Sequence, residues 1–157
     1  NEDQGWVAHF VMRSIAGKPI TIYGDGMQVR DILFIDDLVD AFLLAQQHME
    51  RLAASAFNIG GGSANSISLL ELLDLLAELH GGDLSVRFED WRAADQRYYV
   101  ADTSKFSGLT GWKPRVGVHE GVRRLYEWIK KGDEHFTAEP VRVTNLSNVR
   151  SIGMAKF

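Results

Sequence analysis

Cysteine is absent from all 157 residues, which excludes disulfides and thiolate metal sites. No apolar run reaches the roughly 18 residues that a membrane-spanning helix needs, so no membrane role is expected. Positive charge is not in excess either. Seventeen Lys and Arg stand against 21 Asp and Glu, a formal net charge of -4, and the isoelectric point is about 5.7. A general nucleic-acid binder would carry a basic face, so nucleic acid is not an expected partner. The opening Asn1-Glu2-Asp3-Gln4-Gly5 lacks the basic and apolar regions of a secretory signal. A soluble, cytoplasmic protein is the working class, and the triplet Asn145-Leu146-Ser147 would matter only after secretion.

Several catalytic signatures are missing as well. His9, His48, His80, His119 and His135 form no i, i+4 pair, so no metal site is expected. No serine sits in a G-x-S-x-G elbow. The dinucleotide fingerprint G-x-G-x-x-G occurs nowhere. Repeats and low-complexity tracts are also lacking.

What is present is enough for one domain, with 45% hydrophobic residues to build a core. Helical spacing predicts a helix over 6–16, stopped by Gly17, Lys18 and Pro19. The β-branched and aromatic run 19–23 predicts a strand, followed by the turn Gly24-Asp25-Gly26. The apolar run 32–35 reads as a second strand, and Asp36 or Asp37 as the cap of a helix carrying Leu38, Val39, Phe42, Leu43 and Ala45. Residues 56–59 read as a short buried strand ending in Gly60-Gly61-Gly62. Ser68 and Glu71 form a capping box ahead of a leucine-rich helix over 69–79, closed by Gly81-Gly82. Strands are predicted over 84–88 and 98–100, a short helix from about Thr103, and a last helix over 119–131. Beyond Gly132 the pattern weakens, so 132–157 is expected to be a loosely ordered extension. Helices alternating with short strands make the fold α/β or α+β.

Arg30 and Arg92 each sit where a turn meets a strand-like or irregular segment. A guanidinium binds phosphate oxygens through two parallel hydrogen bonds. The alternative is an ion pair with a neighbour: Asp31 or Asp36 for Arg30, Asp95 for Arg92. The three glycines at 60–62 carry no P-loop lysine after them and read as a strand-to-loop exit. Tyr126 and Lys130 have a Tyr-x-x-x-Lys spacing. Tyr126, however, falls on an apolar stripe with Val122, Leu125 and Ile129, while Lys130 and Lys131 complement a helix C-terminus. The pair Asp36-Asp37 suits helix capping better than Mg²⁺. By residues alone, this is an α/β unit with candidate anion hooks and no catalytic centre.

An ordered set of segments adds to this reading: "GDGMQVRDILFIDDLVDAF", "FNIGGG", "SLLELLDLL", "WRAADQRYYVADTSKFSGLTGWKP" and "GVRRLYEWIK". Together they resemble the C-terminal part of the extended short-chain dehydrogenase/reductase family, the NAD-dependent nucleotide-sugar epimerases and dehydratases. The resemblance covers residues 3 to about 131. "DQGW" and "QVRD" lean toward its CDP-paratose (CDP-tyvelose) 2-epimerase branch, an isomerase acting on a CDP-sugar. The resemblance implies a C-terminal fragment of a Rossmann-type enzyme, with residues 1–131 forming the nucleotide-sugar-binding portion. The Gly-rich NAD loop and the catalytic Tyr-x-x-x-Lys would belong to the missing N-terminal part, so no catalytic or cofactor-binding residue is expected here. The parent would oxidise its sugar transiently with NAD; the fragment itself is expected to be inactive.

By position in the family, Arg30 and Arg92 match diphosphate-binding arginines. Asp95 matches a position bonding the ribose hydroxyls, and Gln28 a nucleotide contact. Asp31 is expected to orient Arg30. Segment 56–59 resembles a strand of the Rossmann sheet, with the 36–50 helix beside it, so the isolated chain is expected to form a homo-oligomer, to rearrange locally or to be only marginally stable. The alternatives are a standalone nucleotide-binding module and a protein-interaction module that docks through helix 69–79.

Overall fold

The computed structural model describes residues 5–136. Helix α1 (Trp6–Ile15) turns Phe10 and Val11 inward. Arg13 Nε donates to Pro19 O at 2.7 Å, tying the end of α1 to the start of the next strand. Strand β1 (Ile20–Tyr23) alternates buried and half-buried residues, as a strand with one inner face must. It pairs in parallel with β4 (Val86–Glu89), Ile20 opposite Val86 and Tyr23 opposite Glu89. A parallel pair needs a crossover, and everything between these two strands supplies it.

A second sheet has β2 (Val29–Asp31) at its centre. Strand β3 (Ser66–Ser68) runs antiparallel on one side and β5 (Tyr98–Tyr99) parallel on the other. Arg30 is the middle residue of β2, opposite Ile67 and Tyr99. The predicted strand at 32–35 is therefore displaced toward the N-terminus. Residues 32–34 are irregular, and Ile35 already opens helix α2 (Ile35–Gln47). The reason is that this apolar run serves two cores. Ile32 packs against one and Leu33 against the other, so the chain crosses between them instead of continuing a ladder.

Helix α2 has Phe34 at its N-cap with no side-chain cap bond, and Asp36 and Asp37 lie inside its first turn. The expected aspartate cap is thus corrected. Both acids still complement the helix dipole. After α3 (Met49–Leu52), the expected strand at 56–59 makes no ladder among the described residues. Phe57 and Ile59 are held by side-chain packing, while Ala56 O accepts from Lys105 Nζ at 3.0 Å.

Helix α4 (Leu69–His80) begins with the expected capping box. The Ser68 side chain accepts from Glu71 N, the Glu71 side chain accepts from Ser68 N, and Gly81 closes the helix at φ 80. Leu72, Leu73, Leu75 and Leu76 are buried, so these leucines of the helix serve the core. Helices α5 (Ser104–Thr110) and α6 (Val118–Phe136) complete the order. Helix α6 extends past the predicted end at residue 131. Residues 137–157, most of the expected extension, lie outside the described residues.

Two cores result. The larger joins α1, β1, β3, α4 and α6 through residues such as Val11, Ile22, Leu76 and Val122. The smaller gathers Ala41, Leu52, Phe106 and Trp112, with Phe106 edge-on to Phe57 and Trp112 at 5.7 and 5.8 Å. Among the described residues no helix is long and apolar enough to cross a membrane.

Candidate functional site

The alternation of β1 leaves Thr21 and Tyr23 half-buried on one side, and β2 begins a few residues later beyond the Gly24-Asp25-Gly26 turn. The irregular segment between β4 and β5 returns across the same edge, where Val29 N donates to Arg97 O at 3.0 Å. Between these pieces lies a cleft of about 190 Å³. All four residues singled out by sequence line it: Gln28, Arg30, Arg92 and Asp95.

Arg30 is anchored on three sides. Its Nη1 donates to Val29 O at 2.9 Å, and its Nη2 donates to Asp95 Oδ1 at 3.0 Å and to Gln96 O. The Arg30 and Asp95 side chains are only 20% and 28% exposed. The ion-pair partners read from sequence are therefore reassigned. Asp95, expected beside Arg92, gives its carboxylate to Arg30. Asp31, expected to orient Arg30, accepts the Gly62 N–H at 3.0 Å instead. Arg92 lays its guanidinium over the Tyr23 ring, 3.8 Å from the centroid, a favourable cation–π distance.

Gln28 is almost fully buried. Its Nε2 donates to Tyr23 O and lies 3.5 Å from Asp95 Oδ2, so one amide spans the end of β1 and the carboxylate. Among the described residues Gln28 Oε1 is buried with no hydrogen-bond partner. The segment carrying Arg92 and Asp95 is pinned by Trp91. Gly24 has φ 88, and a Cβ there would come 2.6 Å from the Trp91 ring. The absence of a side chain lets the indole lie on the turn, with the Arg97 guanidinium 4.9 Å from its centroid.

The remaining wall was not identified from sequence. Trp6, His9 and Phe10 of α1, with Tyr23 and Leu69, give the cleft an aromatic side. Their i, i+3, i+4 spacing on α1 is a signal that would have found three of them. The other motifs lead away from the cleft. Tyr126 is buried in the larger core, and Lys130 is exposed. The glycine run is a packing device: a Cβ on Gly61 would meet Ile32 O at 2.1 Å, and one on Gly60 would meet Asp31 Oδ2 at 2.4 Å. Among the described residues no group of three or more His, Asp or Glu could hold a metal ion.

Residues 1–60 match the model of the NAD dependent epimerase/dehydratase family. Over 131 residues the chain is 38% identical to the CDP-paratose 2-epimerase of Salmonella typhi, covering 80% of this chain and 39% of that protein. These matches support a fragment of an NAD-dependent epimerase/dehydratase. Solved structures agree with its fold. UDP-glucose 4-epimerase from Thermotoga maritima, with UDP-glucose, superposes with a TM-score of 0.71 at 34% identity, covering 82% of this chain and 40% of that one. UDP-glucuronic acid 4-epimerase from Bacillus cereus, with UDP-glucuronic acid and NAD, gives 0.75 at 27% identity over the same shares. The α/β fold of this chain is thus that of part of a Rossmann-type epimerase. The chain spans about two fifths of the length of the relatives it matches.

Proposed function

We propose that this chain is the nucleotide-sugar-binding portion, at the C-terminal side, of an NAD-dependent nucleotide-sugar epimerase or dehydratase. In this reading Arg30 and Arg92 take the diphosphate, Asp95 the ribose hydroxyls, and Gln28 the nucleotide. The supporting observation is the convergence of four residues, from β2 and from the segment before β5, on a cleft with two guanidinium groups and an aromatic wall. Guanidinium groups suit a diphosphate, and aromatic rings suit a base.

In this reading NAD is held by the rest of the enzyme: Gly60 and Gly61 are packed against the Asp31 carboxylate and Ile32 backbone, and Tyr126 lies in the core. This reading assigns transient oxidation of the sugar to the rest of the enzyme and substrate anchoring to this portion. Remote binding energy on the nucleotide then helps position the sugar for chemistry.

Calorimetric titration of the 157-residue chain with CDP, UDP and cytidine tests the reading. Binding of the diphosphates with much weaker binding of cytidine is the expected result. Absence of diphosphate binding would remove the cleft from this role and favour a protein-interaction module without catalysis. Diphosphate binding by this chain, with no enzyme activity regained on adding an NAD-binding half from a relative, would favour a standalone nucleotide-binding module.

A further inference from the structure

Arg92 and Asp95 reach the cleft from residues 90–97, which form neither helix nor strand. Asp95 N donates to Arg92 O at 3.2 Å, closing a four-residue turn with the two site residues at its ends. The third residue of that turn, Ala94, has φ 61. A left-handed backbone there suits glycine, and a residue with a Cβ keeps it only where neighbouring contacts hold it.

One such contact lies just before the turn. The Trp91 indole rests on Gly24, where a Cβ would come within 2.6 Å of the ring. Gly24 N also donates to Glu89 O at 2.9 Å, which ties the same short stretch to the turn after β1. Trp91 belongs to neither hydrophobic core and lies outside the cleft lining. Its packing orders the turn that follows it, not the interior of the fold and not the immediate surroundings of a ligand.

We propose that Trp91 is a positioning residue of the cleft: seated on Gly24, it holds the strained turn 92–95 so that Arg92 and Asp95 are in place before a ligand arrives. The inference rests on the cleft being the nucleotide site. Order present beforehand is order that binding does not have to create. The far end of the segment has its own ties, Arg30 to Asp95 and Val29 N to Arg97 O. Loss of the indole therefore loosens the turn and leaves the fold standing.

Two measurements on the 157-residue chain and on Trp91→Ala, Trp91→Phe and Trp128→Ala test this, with melting curves for each. One is calorimetric titration with CDP; the other is the rate of native-state tryptic cleavage after Arg92 and Arg97. Trp128, 73% exposed on α6, controls for the loss of a surface indole. In Trp91→Ala cleavage at both sites should quicken severalfold, and CDP should bind roughly three- to tenfold more weakly, the scale of ordering a side chain on binding. Trp91→Phe, which keeps a flat ring for Gly24, recovers most of both. Trp128→Ala changes neither. Should Trp91→Ala melt early, Trp91→Leu, which keeps apolar bulk without the flat face, supplies the same reading. Unchanged CDP affinity overturns the proposal even if cleavage quickens, as does an equal effect in Trp128→Ala. Weaker CDP binding with unchanged cleavage means that Trp91 touches the ligand directly, and it overturns the proposal too. In each of these cases CDP still binds the wild type, and only the positioning role falls. If CDP does not bind even the wild type, the nucleotide reading falls and takes this role with it.

Discussion

Val116 donates its backbone N–H to Asp37 Oδ2 at 3.0 Å, across 79 positions of sequence. Arg115 N donates to the other oxygen at 3.1 Å, and Trp112 Nε1 donates to Asp37 O, also at 3.1 Å. Asp37 is 1% exposed, so its carboxylate has left water and depends on these donors. The sequence suggested a helix cap. The structure makes Asp37 a clasp between α2 and the loop leading into α6. Asp37→Ala leaves two backbone donors without an acceptor and is expected to cost about 2–3 kcal/mol, the range for buried hydrogen bonds to a charged group. Urea unfolding measures it; an unshifted midpoint would mean the loop is held by Trp112 packing alone.

The capping box of α4 carries a pH signature. Hydrogen bonds from the Ser68 backbone and then its hydroxyl hold the Glu71 carboxyl below its ordinary value of 4.5. A depressed folded-state value means that the stabilisation is complete above about pH 4.5 and is lost as pH falls through the folded value. Ser68→Ala should cost about 1 kcal/mol at neutral pH and reduce the acid limb of the stability curve without abolishing it, because the Ser68 N–H still donates to Glu71. Thermal melts from pH 3 to 7, on both proteins, would expose a limb that persists unchanged.

Gly61 has no room for a methyl group, because its Cβ would meet Ile32 O at 2.1 Å. The obstacle is backbone, which cannot rotate away. Gly61→Ala is expected to destabilise by about 1–3 kcal/mol. Gly82→Ala, where nothing lies within 4 Å, should be close to neutral. Equal melting temperatures for the two variants would contradict the packing account of the glycine run.

Legibility of the fold followed the range of the forces involved. The capping box, the Gly81 stop and the alternation of β1 are local, and they could be read directly. Strand β2 could not: Val29-Arg30-Asp31 has no strand-like composition, and it becomes one through ladders to residues 66–68 and 98–99. Its apolar neighbours at 32–35 looked more like a strand, yet their side chains part toward different cores. For the site, the residue types at 28, 30, 92 and 95 were readable, and their partners were not. Asp95 belongs to Arg30 only because the segment before β5 returns to β2. The aromatic wall from α1 has the same origin.

If the cleft binds a diphosphate, Arg30 contributes directly. Arg30→Ala is expected to weaken CDP or UDP binding by roughly 1.5–3 kcal/mol, about a tenfold to hundredfold rise in Kd. Arg30→Lys should recover only part of this loss, since an ammonium cannot supply the two-pronged grip. Titration at two salt concentrations separates a specific contact from general charge. Unchanged affinity in Arg30→Ala would take the residue out of the site.

Helix α2 presents Ile35, Val39, Phe42 and Leu43, each at least 46% exposed, at i, i+4, i+7 and i+8. That is the stripe of a helix meant to be covered, on the side away from Ala41 and the smaller core. The chain spans about two fifths of its relatives, so the natural cover in the proposed parent is the remainder of the enzyme. Without it, burial of the stripe between two copies is the available way to remove this surface from water. Phe42→Glu should therefore shift sedimentation toward monomer while leaving the melting temperature of the isolated chain nearly unchanged, because Phe42 is 63% exposed and belongs to neither core. In the complete enzyme the same substitution should lower stability by about 2–3 kcal/mol, the value of burying one large apolar side chain. A wild-type chain that sediments as a monomer at every concentration would refute self-association. Tolerance of Phe42→Glu in the complete enzyme would refute the cover.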